Sequence, residues 1–173
     1  MSIKVQKERP EISLAYLDSP IGRLAILADS DGISAIFFPN NSEFLSLVEA
    51  PASAKGEEWL GLAIEQLSAY FDGRLKVFDL PLSINGSDFQ KNAWAQLQKI
   101  AYGSTASYGE IASAMGKPKA ARAVGMANNK NRIPIIIPCH RIIGSNGSLT
   151  GFAGGLDTKR WLLKHEGIFF KEG

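Results

Sequence analysis

The sequence has little of what holds small secreted or metal-binding proteins together. It contains one cysteine, Cys139, and two histidines, His140 and His165, so it cannot form an internal disulfide and is unsuited to a four-ligand zinc site. No apolar run approaches the roughly 20 residues that cross a bilayer, and the first 16 residues lack the apolar core of a secretory signal. We therefore expect a cytoplasmic protein without zinc and without a membrane anchor.

The charge is divided unequally between the two halves of the chain. The 173 residues are 45% hydrophobic and 21% charged, which is ordinary for one globular domain or two small ones. Residues 1–83 hold 7 Lys and Arg against 12 Asp and Glu, a net of −5, and residues 84–173 hold 12 against 5, a net of +7. This division favours a polyanion as partner of the second half. Chance patterning of solvated side chains stays open, whereas no basic amphipathic helix suggests a membrane surface.

The first half is predicted to be an antiparallel meander followed by a helix. Three β-rich runs are separated by turn residues, and they cover residues 12–17, 24–28 and 33–38. Apolar residues recur at helical spacing over residues 57–71, and Gly73 follows as a stop. No polar cluster stands out, so residues 1–84 are interpreted as a scaffold domain, with a linker near residues 81–87.

The second half, residues 85–173, is predicted to be helical. Ser87 and Ser107 each begin a capping box, for helices that reach about Ile100 and Met115. After a break at Gly116, a further helix is expected over residues 119–129, and a last one over residues 157–166. Two short helices across a glycine-containing turn are typical of a helix-turn-helix, which with the +7 charge indicates DNA binding.

The helix over residues 119–129 is unusually bare. Its side chains are small apart from Arg122, and the small residues include Ala121, Ala123, Gly125 and Ala127. A helix that reads the major groove usually carries long polar side chains, whereas a slim helix suits the narrow minor groove. Small residues also let a helix pack closely against its own protein, and the spacing alone leaves both explanations open.

The segment around Cys139 combines a thiol with polar neighbours. His140 and Arg141 follow the cysteine directly, and both can favour a thiolate, although a lone cysteine is also often a buried hydrophobe. In an extended segment the side chains of Cys139 and His140 would point to opposite faces, so a water would have to join thiol and imidazole. Glu166, poorly placed against a helix dipole, is the candidate carboxylate that orients His140.

Several motifs in the second half resemble those of a known protein family. Ile137-Pro-Cys-His-Arg141, then Ile142-Ile-Gly144 and Gly151-Phe-Ala-Gly-Gly-Leu156, closely resemble the active-site signature of O6-alkylguanine-DNA alkyltransferases. Ala120-Ala-Arg-Ala-Val-Gly125 resembles the recognition helix of that family, and Lys159-Arg-Trp-Leu-Leu-Lys-His-Glu166 its closing helix. The match covers about residues 87–168, and the chain is similar overall to the constitutive bacterial enzymes. It implies an α+β fold, with an N-terminal RNase H-like antiparallel sheet and helix and a C-terminal winged helix-turn-helix domain.

The resemblance implies a role for each residue of the motif. Cys139 is the expected alkyl acceptor, His140 the general base acting through water, and Glu166 the group that orients His140. Tyr108 is expected to help rotate the nucleotide and to donate a proton as guanine leaves. Arg122 is the expected finger that fills the space of the flipped base.

Further roles follow from the same resemblance. Asn131 is the expected hinge asparagine between the recognition helix and the cysteine segment. The base pocket is expected at Pro134, Ile142, Phe152 and Ala153, with the Ala153 N–H facing O6. The chain departs from many members at Arg132, where they have proline. It departs from some relatives at Gly151 and Ala153, which replace larger or hydroxylated residues, so that Ala153 offers no serine hydroxyl.

The predicted function is single-use DNA repair. A monomer would bind duplex DNA through the minor groove, rotate the damaged base out, and transfer the alkyl group of O6-alkylguanine, and also of O4-alkylthymine, to Cys139. No cofactor is needed. Three alternatives are weighed: a lesion binder without transfer, which Cys139 disfavours; a transcription regulator, which leaves the cysteine motif unexplained; and a Cys–His hydrolase, for which adjacent residues are awkward.

Overall fold

Among the residues that the structure describes, the N-terminal half forms a three-stranded antiparallel sheet covered by one helix. The computed structural model describes residues 11–44 and 52–172. Strands β1 (Ser13–Ser19), β2 (Gly22–Ala28) and β3 (Ile33–Phe37) lie in the order β1-β2-β3. Helix α1 (Ala54–Phe71) packs on them. The predicted meander and helix are confirmed. The prediction that the first 16 residues lack a secretory signal concerns residues 1–10 as well, which lie outside the described residues.

Strand β2 is buried on both faces. Leu24, Ala25, Ile26 and Ala28 are all fully buried. One face belongs to the main core, while Ala25 packs with Ala35 and Phe37 in a smaller cluster. A central strand buried on both sides has a continuous apolar run rather than alternation, which is why residues 24–28 look uniformly apolar in the sequence.

The apolar spacing of α1 predicts a buried face with Leu60, Ile64, Leu67 and Phe71, and the structure confirms Leu60 and Leu67 but buries Tyr70 instead of Phe71. The buried residues Leu60, Ala63, Leu67 and Tyr70 of this helix alternate steps of three and four, whereas Phe71 is only half-buried. Tyr70 is on the buried side because its hydroxyl has a polar partner in the C-terminal half, described below. The predicted stop is confirmed, since Gly73 has a φ of 75°, a backbone conformation that favours glycine.

The segment predicted as a linker is held against the sheet. Ile33 N–H donates to the carbonyl oxygen of Pro81 at 2.9 Å, and Ser83 N–H donates to that of Ile33 at 2.8 Å. Leu82 thereby forms a parallel bridge with Ile33. The two halves are therefore joined by an ordered connection, and the boundary at residue 84 stays a prediction.

The C-terminal half is helical, as predicted. Its helices are α2 (Asp88–Leu97), α3 (Tyr108–Ala114), α4 (Ala121–Asn129) and α5 (Leu156–His165). Both predicted capping boxes are present, at Ser87 and Ser107. Helices α2, α3 and α4 pack against one another, and Trp94 on α2 donates its indole N–H to the carbonyl oxygen of Ala127 on α4 at 2.8 Å.

Several helix bounds differ from the predicted ones: α1 begins at Ala54 rather than Glu57, and α5 lies one residue earlier than predicted. Helix α2 ends at Leu97 rather than near Ile100, because the chain tightens there, with Ile100 N–H donating to the carbonyl oxygen of Leu97. Helix α4 begins at Ala121 rather than Lys119, because residues 117–120 form a turn. In this turn the N–H of Ala120 donates a hydrogen bond to the carbonyl oxygen of Lys117. Within residues 11–44 and 52–172, no helix has both the length and the apolarity to cross a membrane.

Candidate active site

The cysteine is presented by a tight turn that Asn131 clamps at both ends. The Oδ1 of Asn131 accepts from Ile133 N–H at 3.0 Å, and its Nδ2 donates to the carbonyl oxygen of Ile137 at 2.9 Å. Between them Ile135 has a φ of 73°, a conformation that is strained for a β-branched residue. The amide of Asn131 thus holds a strained turn that leads directly into the cysteine.

Cys139 lies in a short 3-10 turn, Cys139–Arg141, rather than in an extended segment. This corrects the expectation that consecutive side chains there point to opposite faces. The thiol is buried, with 3% of the residue exposed. Burial raises the pKa of Cys139 to about 11, although hydrogen bonding by Asn131 and the charge of Lys159 oppose the shift. With this pKa the thiol is protonated at neutral pH, and the expectation that its neighbours favour a thiolate stays a prediction.

His140 and Glu166 form a buried pair. The His140 Nε2 lies 2.7 Å from Glu166 Oε1, and neither side chain is exposed. Burial lowers the pKa of His140 despite Glu166, so the imidazole is neutral and donates its Nε2–H to the carboxylate. The Nδ1 is buried and, within the described part of the chain, has no hydrogen-bond partner. The Nδ1 of His140 is therefore a basic nitrogen that is free to accept a proton in the interior.

Glu166 is surrounded by donors. Arg141 donates from Nε to Oε2 at 2.9 Å and from an Nη to Oε1 at 3.0 Å, and Gly103 N–H approaches Oε2 at 3.4 Å. Burial by itself would raise the pKa of Glu166, but the hydrogen bonds of His140 and Arg141 lower it to about 2. Arg141 therefore neutralises Glu166 rather than activating the thiol, and its other nitrogen donates to the carbonyl oxygen of Ile100 at 2.7 Å.

A second polar chain links Lys159 to Tyr108. The Nζ of Lys159 donates to the carbonyl oxygens of Ile142 and Thr150, and the Tyr108 hydroxyl lies 2.7 Å from Thr150 Oγ1. Burial lowers the pKa of Lys159 to about 8, with Cys139 opposing. The helix that begins with Tyr108 is also tied to the cysteine segment, because Ala106 N–H donates to the carbonyl oxygen of Arg141 at 3.0 Å.

Helix α4 carries its small residues on more than one face. Arg122 is exposed, Met126 one turn later is 70% exposed, and Ala121, Ala123 and Gly125 are half-buried. Ala127 is buried under Trp94, which corrects its assignment to the DNA-facing surface, since a methyl group in the core cannot contact DNA. The small residues therefore let α4 pack closely on its buried side, and the explanation by the narrow minor groove stays a prediction. Among the described residues Arg122 has no hydrogen-bond or ion-pair partner.

The predicted pocket residues are divided between interior and surface. Pro134 and Ile142 are buried, Phe152 is half-buried with its ring edge against Phe38, and Ala153 is exposed. A Cβ on Gly154 would come within 2.9 Å of both Phe rings, so glycine permits this close approach. The structure thus places two pocket candidates beside the cysteine segment and two in the loop that precedes α5.

Sequence reasoning missed three side chains that the structure brings to the site. Lys159 lies on one helical face with Leu162, Leu163 and Glu166, at steps of three, four and seven, a spacing that marks the buried side of α5. Thr150 and Tyr70 carry no comparable signal, because their partners are distant in the sequence. In the described residues no group of three or more His, Cys, Asp and Glu side chains could hold a metal.

Comparison with known proteins matches both halves of the chain to domains of one protein family. Residues 12–84 match the ribonuclease-like domain, and residues 88–168 the DNA binding domain, of 6-O-methylguanine DNA methyltransferase. The chain is 49% identical to a methylated-DNA–protein-cysteine methyltransferase of Methanosarcina acetivorans, covering 88% of this chain and 97% of that one. It is 42% identical to the constitutive enzyme of Bacillus subtilis, covering 90% and 95%.

A solved structure agrees over most of its length. The crystal structure of Mycobacterium tuberculosis OGT in complex with DNA superposes with a TM-score of 0.78 at 43% identity, covering 87% of this chain and 90% of that one. A sheet domain joined to a helical DNA-binding domain that buries a cysteine beside a His–Glu pair defines a class of DNA repair methyltransferases. The chain belongs to the 6-O-methylguanine DNA methyltransferase family. Its enzyme class is that of the methylated-DNA–protein-cysteine methyltransferases.

Proposed function

We propose that the chain repairs O6-alkylguanine in duplex DNA by moving the alkyl group irreversibly to its own Cys139. The observation that carries this proposal is the buried thiol beside a neutral His140 whose Nε2 is occupied by Glu166 and whose Nδ1 is unpaired. A thiol with a pKa of about 11 needs a base at neutral pH. His140 supplies that base, through a water between Nδ1 and the thiol.

The transfer is a single displacement. The thiolate attacks the alkyl carbon, a C–S bond forms, the C–O bond to guanine breaks, and guanine leaves after protonation. The positive charge of Lys159 favours the thiolate, and Glu166 holds the imidazolium that forms. The product is a thioether, which has no acyl carbon for water to attack, so each protein molecule acts once.

Tyr108 is proposed as the proton donor to the leaving guanine. Its hydroxyl contacts Thr150, whose hydroxyl and carbonyl oxygens in turn contact the Lys159 ammonium. This arrangement supports a donor that is oriented and close to a positive charge. Asn131 is proposed to keep the cysteine turn in place, through its two hydrogen bonds.

The damaged base is proposed to reach the site by flipping out of the duplex. An alkyl group on a stacked base cannot touch a thiol that is 3% exposed, and flipping costs a few kcal/mol. Arg122, exposed and unpaired in the described region, would fill the vacated stack from the minor groove, with Ala121, Ala123 and Gly125 allowing α4 to approach. Pro134, Ile142, Phe152 and Ala153 would then line the base pocket.

The remaining expectations are part of the same proposal. A pocket built from apolar side chains and a backbone N–H also accepts O4-alkylthymine, whose ring is smaller. The chain is proposed to act as a monomer without zinc or another cofactor, because every side chain that the transfer needs is supplied by this one chain. Its proposed location is the cytoplasm.

The test is mass spectrometry after reaction with a duplex that carries one O6-methylguanine. We expect a single methyl group on Cys139, and we expect Cys139→Ala to bind the same duplex with unchanged affinity and to transfer nothing. Repair of more than one guanine per protein molecule would favour a hydrolase. Tight lesion binding without an adduct in the wild type would favour a lesion binder.

A further inference from the structure

The N-terminal half supplies one polar side chain to the buried acid–base pair. The hydroxyl of Tyr70, near the end of α1, donates to Glu166 Oε1 at 2.8 Å. His140 Nε2 lies 2.7 Å from the same oxygen. Tyr70 and His140 therefore share one carboxylate oxygen across 70 residues of sequence.

Tyr70 is fixed in place by its surroundings. The residue is fully buried, and its ring packs edge-on against Phe71, Tyr102 and His165 at centroid distances of 5.4, 6.2 and 5.1 Å. Its carbonyl oxygen lies 2.7 Å from His165 Nε2. A side chain held on this many sides has one rotamer, so its hydroxyl has one direction.

The hydroxyl acts only as a donor toward Glu166. Burial and the negative charge of Glu166 both raise the pKa of Tyr70 far above its ordinary value, so the phenol keeps its proton. An ionised carboxylate is an acceptor only. The bond between Tyr70 and Glu166 consequently keeps its direction throughout the reaction.

We propose that Tyr70 is a positioning residue for alkyl transfer, because its hydroxyl fixes Glu166 Oε1 and limits the negative charge that this oxygen presents to His140. The inference rests on the proposed role of His140 as the base. It makes the N-terminal half a part of the acid–base machinery and not only a scaffold.

The sign of the effect follows from the charges around His140. Glu166 stabilises the imidazolium, while Arg141 and Lys159 destabilise it, and the Cys139 thiol is neutral before reaction. Around Glu166 the further groups are Arg141, Tyr70 and the protonated Tyr102. Removing the Tyr70 hydroxyl leaves more charge on Oε1, which favours the imidazolium and raises the pKa of His140. Fewer molecules then hold His140 neutral at mildly acidic pH.

The experiment measures the pH dependence of the single-turnover rate of transfer to Cys139. Free O6-alkylguanine base is the substrate, so that DNA binding adds no pH dependence of its own. For Tyr70→Phe we expect the acidic limb of the profile to move to higher pH by up to about 1–2 pH units, which is the effect of one hydrogen bond to a charged group. A role limited to packing would lower the rate by one factor at every pH and leave the limb in place.

Two tyrosines serve as matched controls. Tyr102→Phe removes a hydroxyl from the same aromatic cluster, but that hydroxyl donates to the carbonyl oxygen of His165 at 3.2 Å and not to Glu166. Tyr16→Phe removes a hydroxyl from β1, a strand of the N-terminal sheet. We expect the acidic limb of the rate profile to lie at the wild-type pH in both variants, even if Tyr102→Phe lowers the stability of the protein.

A graded replacement covers the case in which Tyr70→Phe does not fold. Replacing Tyr70 by 3-fluorotyrosine keeps the ring and makes the phenol a stronger donor, so the limb should move to lower pH. An unmoved limb in the folded Tyr70 variants overturns the inference. If Glu166→Gln transferred the alkyl group with the wild-type rate and pH profile, the proposed role of the His140–Glu166 pair would be wrong. An unmoved limb in the Tyr70 variants alone contradicts only the role of Tyr70.

Discussion

The interior site and the outer face of α4 are built on opposite principles. Cys139, His140 and Glu166 are at most 5% exposed, and the carboxylate has hydrogen-bond donors on both oxygens. On α4, Arg122 is exposed and, in the part of the chain described, has no partner. Chemistry requires groups whose charge and direction are fixed before the substrate arrives. Recognition of a duplex requires groups that are still free to find phosphates and bases.

This difference determines where a substitution is costly. A buried charge that loses its partner costs about 3–5 kcal/mol, whereas an exposed charge contributes at most about 1 kcal/mol. Substitutions in the interior should therefore lower both stability and transfer. Substitutions on the face of α4 should leave the fold intact and change only what happens on DNA.

The largest expected effect is that of Glu166→Gln. The amide cannot balance the charge of Arg141 or hold an imidazolium, so we expect a loss of about 3–5 kcal/mol in the free energy of unfolding. We also expect transfer to slow by about 100-fold or more, the size typical of lost acid–base assistance. Denaturant unfolding and single-turnover transfer measure the two losses. Exposed Glu65→Gln on α1 is the matched control, for which both should stay within error.

The same variant has a pH signature. Because the pKa of Glu166 lies at about 2, below its ordinary value of 4.5, the folded state stabilises the ionised form. That stabilisation is complete above pH 4.5 and is lost as the pH falls toward 2. Glu166→Gln should consequently flatten the fall in stability over this window. An equally steep fall in the variant and the wild type would show that the carboxylate is not held as described.

Much of the fold could be predicted because its signals are local. The meander follows from turn residues between apolar runs, and the helices from capping boxes and from glycines such as Gly73 and Gly167, both with positive φ. Ends of helices were less predictable, since the turn before α4 depends on one backbone hydrogen bond at Ala120.

The site was predictable where the motif is contiguous and not where it crosses the fold. Cys139, His140 and Glu166 follow from the resemblance, whereas Arg141 was assigned to the thiol and in fact binds Glu166. Tyr70 could not have been found, because its partner is 96 residues away and a buried tyrosine on a helix has the same spacing as any apolar residue. Only tertiary structure brings such a pair together.

On the face of α4 the expected effect is specific to the duplex. Arg122→Ala should slow repair of O6-methylguanine in duplex DNA by about 10-fold to 100-fold, since the energy of flipping is no longer offset by a side chain in the stack. Reaction with the free base, which needs no flipping, should be unchanged. Single-turnover rates at saturating protein measure both. If Arg122→Ala slowed transfer from both substrates equally, the proposal that Arg122 fills the space of the flipped base would be wrong.

Tyr108→Phe is the comparison that gives the Arg122 result its meaning. The phenylalanine keeps the ring against Gly125 but loses the hydroxyl that contacts Thr150. A lost proton donor weakens the chemical step itself, so both substrates should slow together. Opposite patterns for Tyr108 and Arg122 would separate the interior chemistry from recognition at the surface.

The smallest expected effect concerns a single phosphate contact. Lys119 is exposed in the turn before α4, in the basic half of the chain, where it can neutralise a phosphate and release a counterion. Lys119→Ala should weaken binding of every duplex to a similar extent, and it should reduce the slope of log affinity against log salt by about one. Lys55→Ala, exposed at the start of α1 in the acidic half, is the matched control and should keep the wild-type slope. If Lys55→Ala flattened the slope as much as Lys119→Ala, DNA would contact both halves, and the division of the molecule into an acidic half that supports the chemistry and a basic half that binds DNA would be wrong.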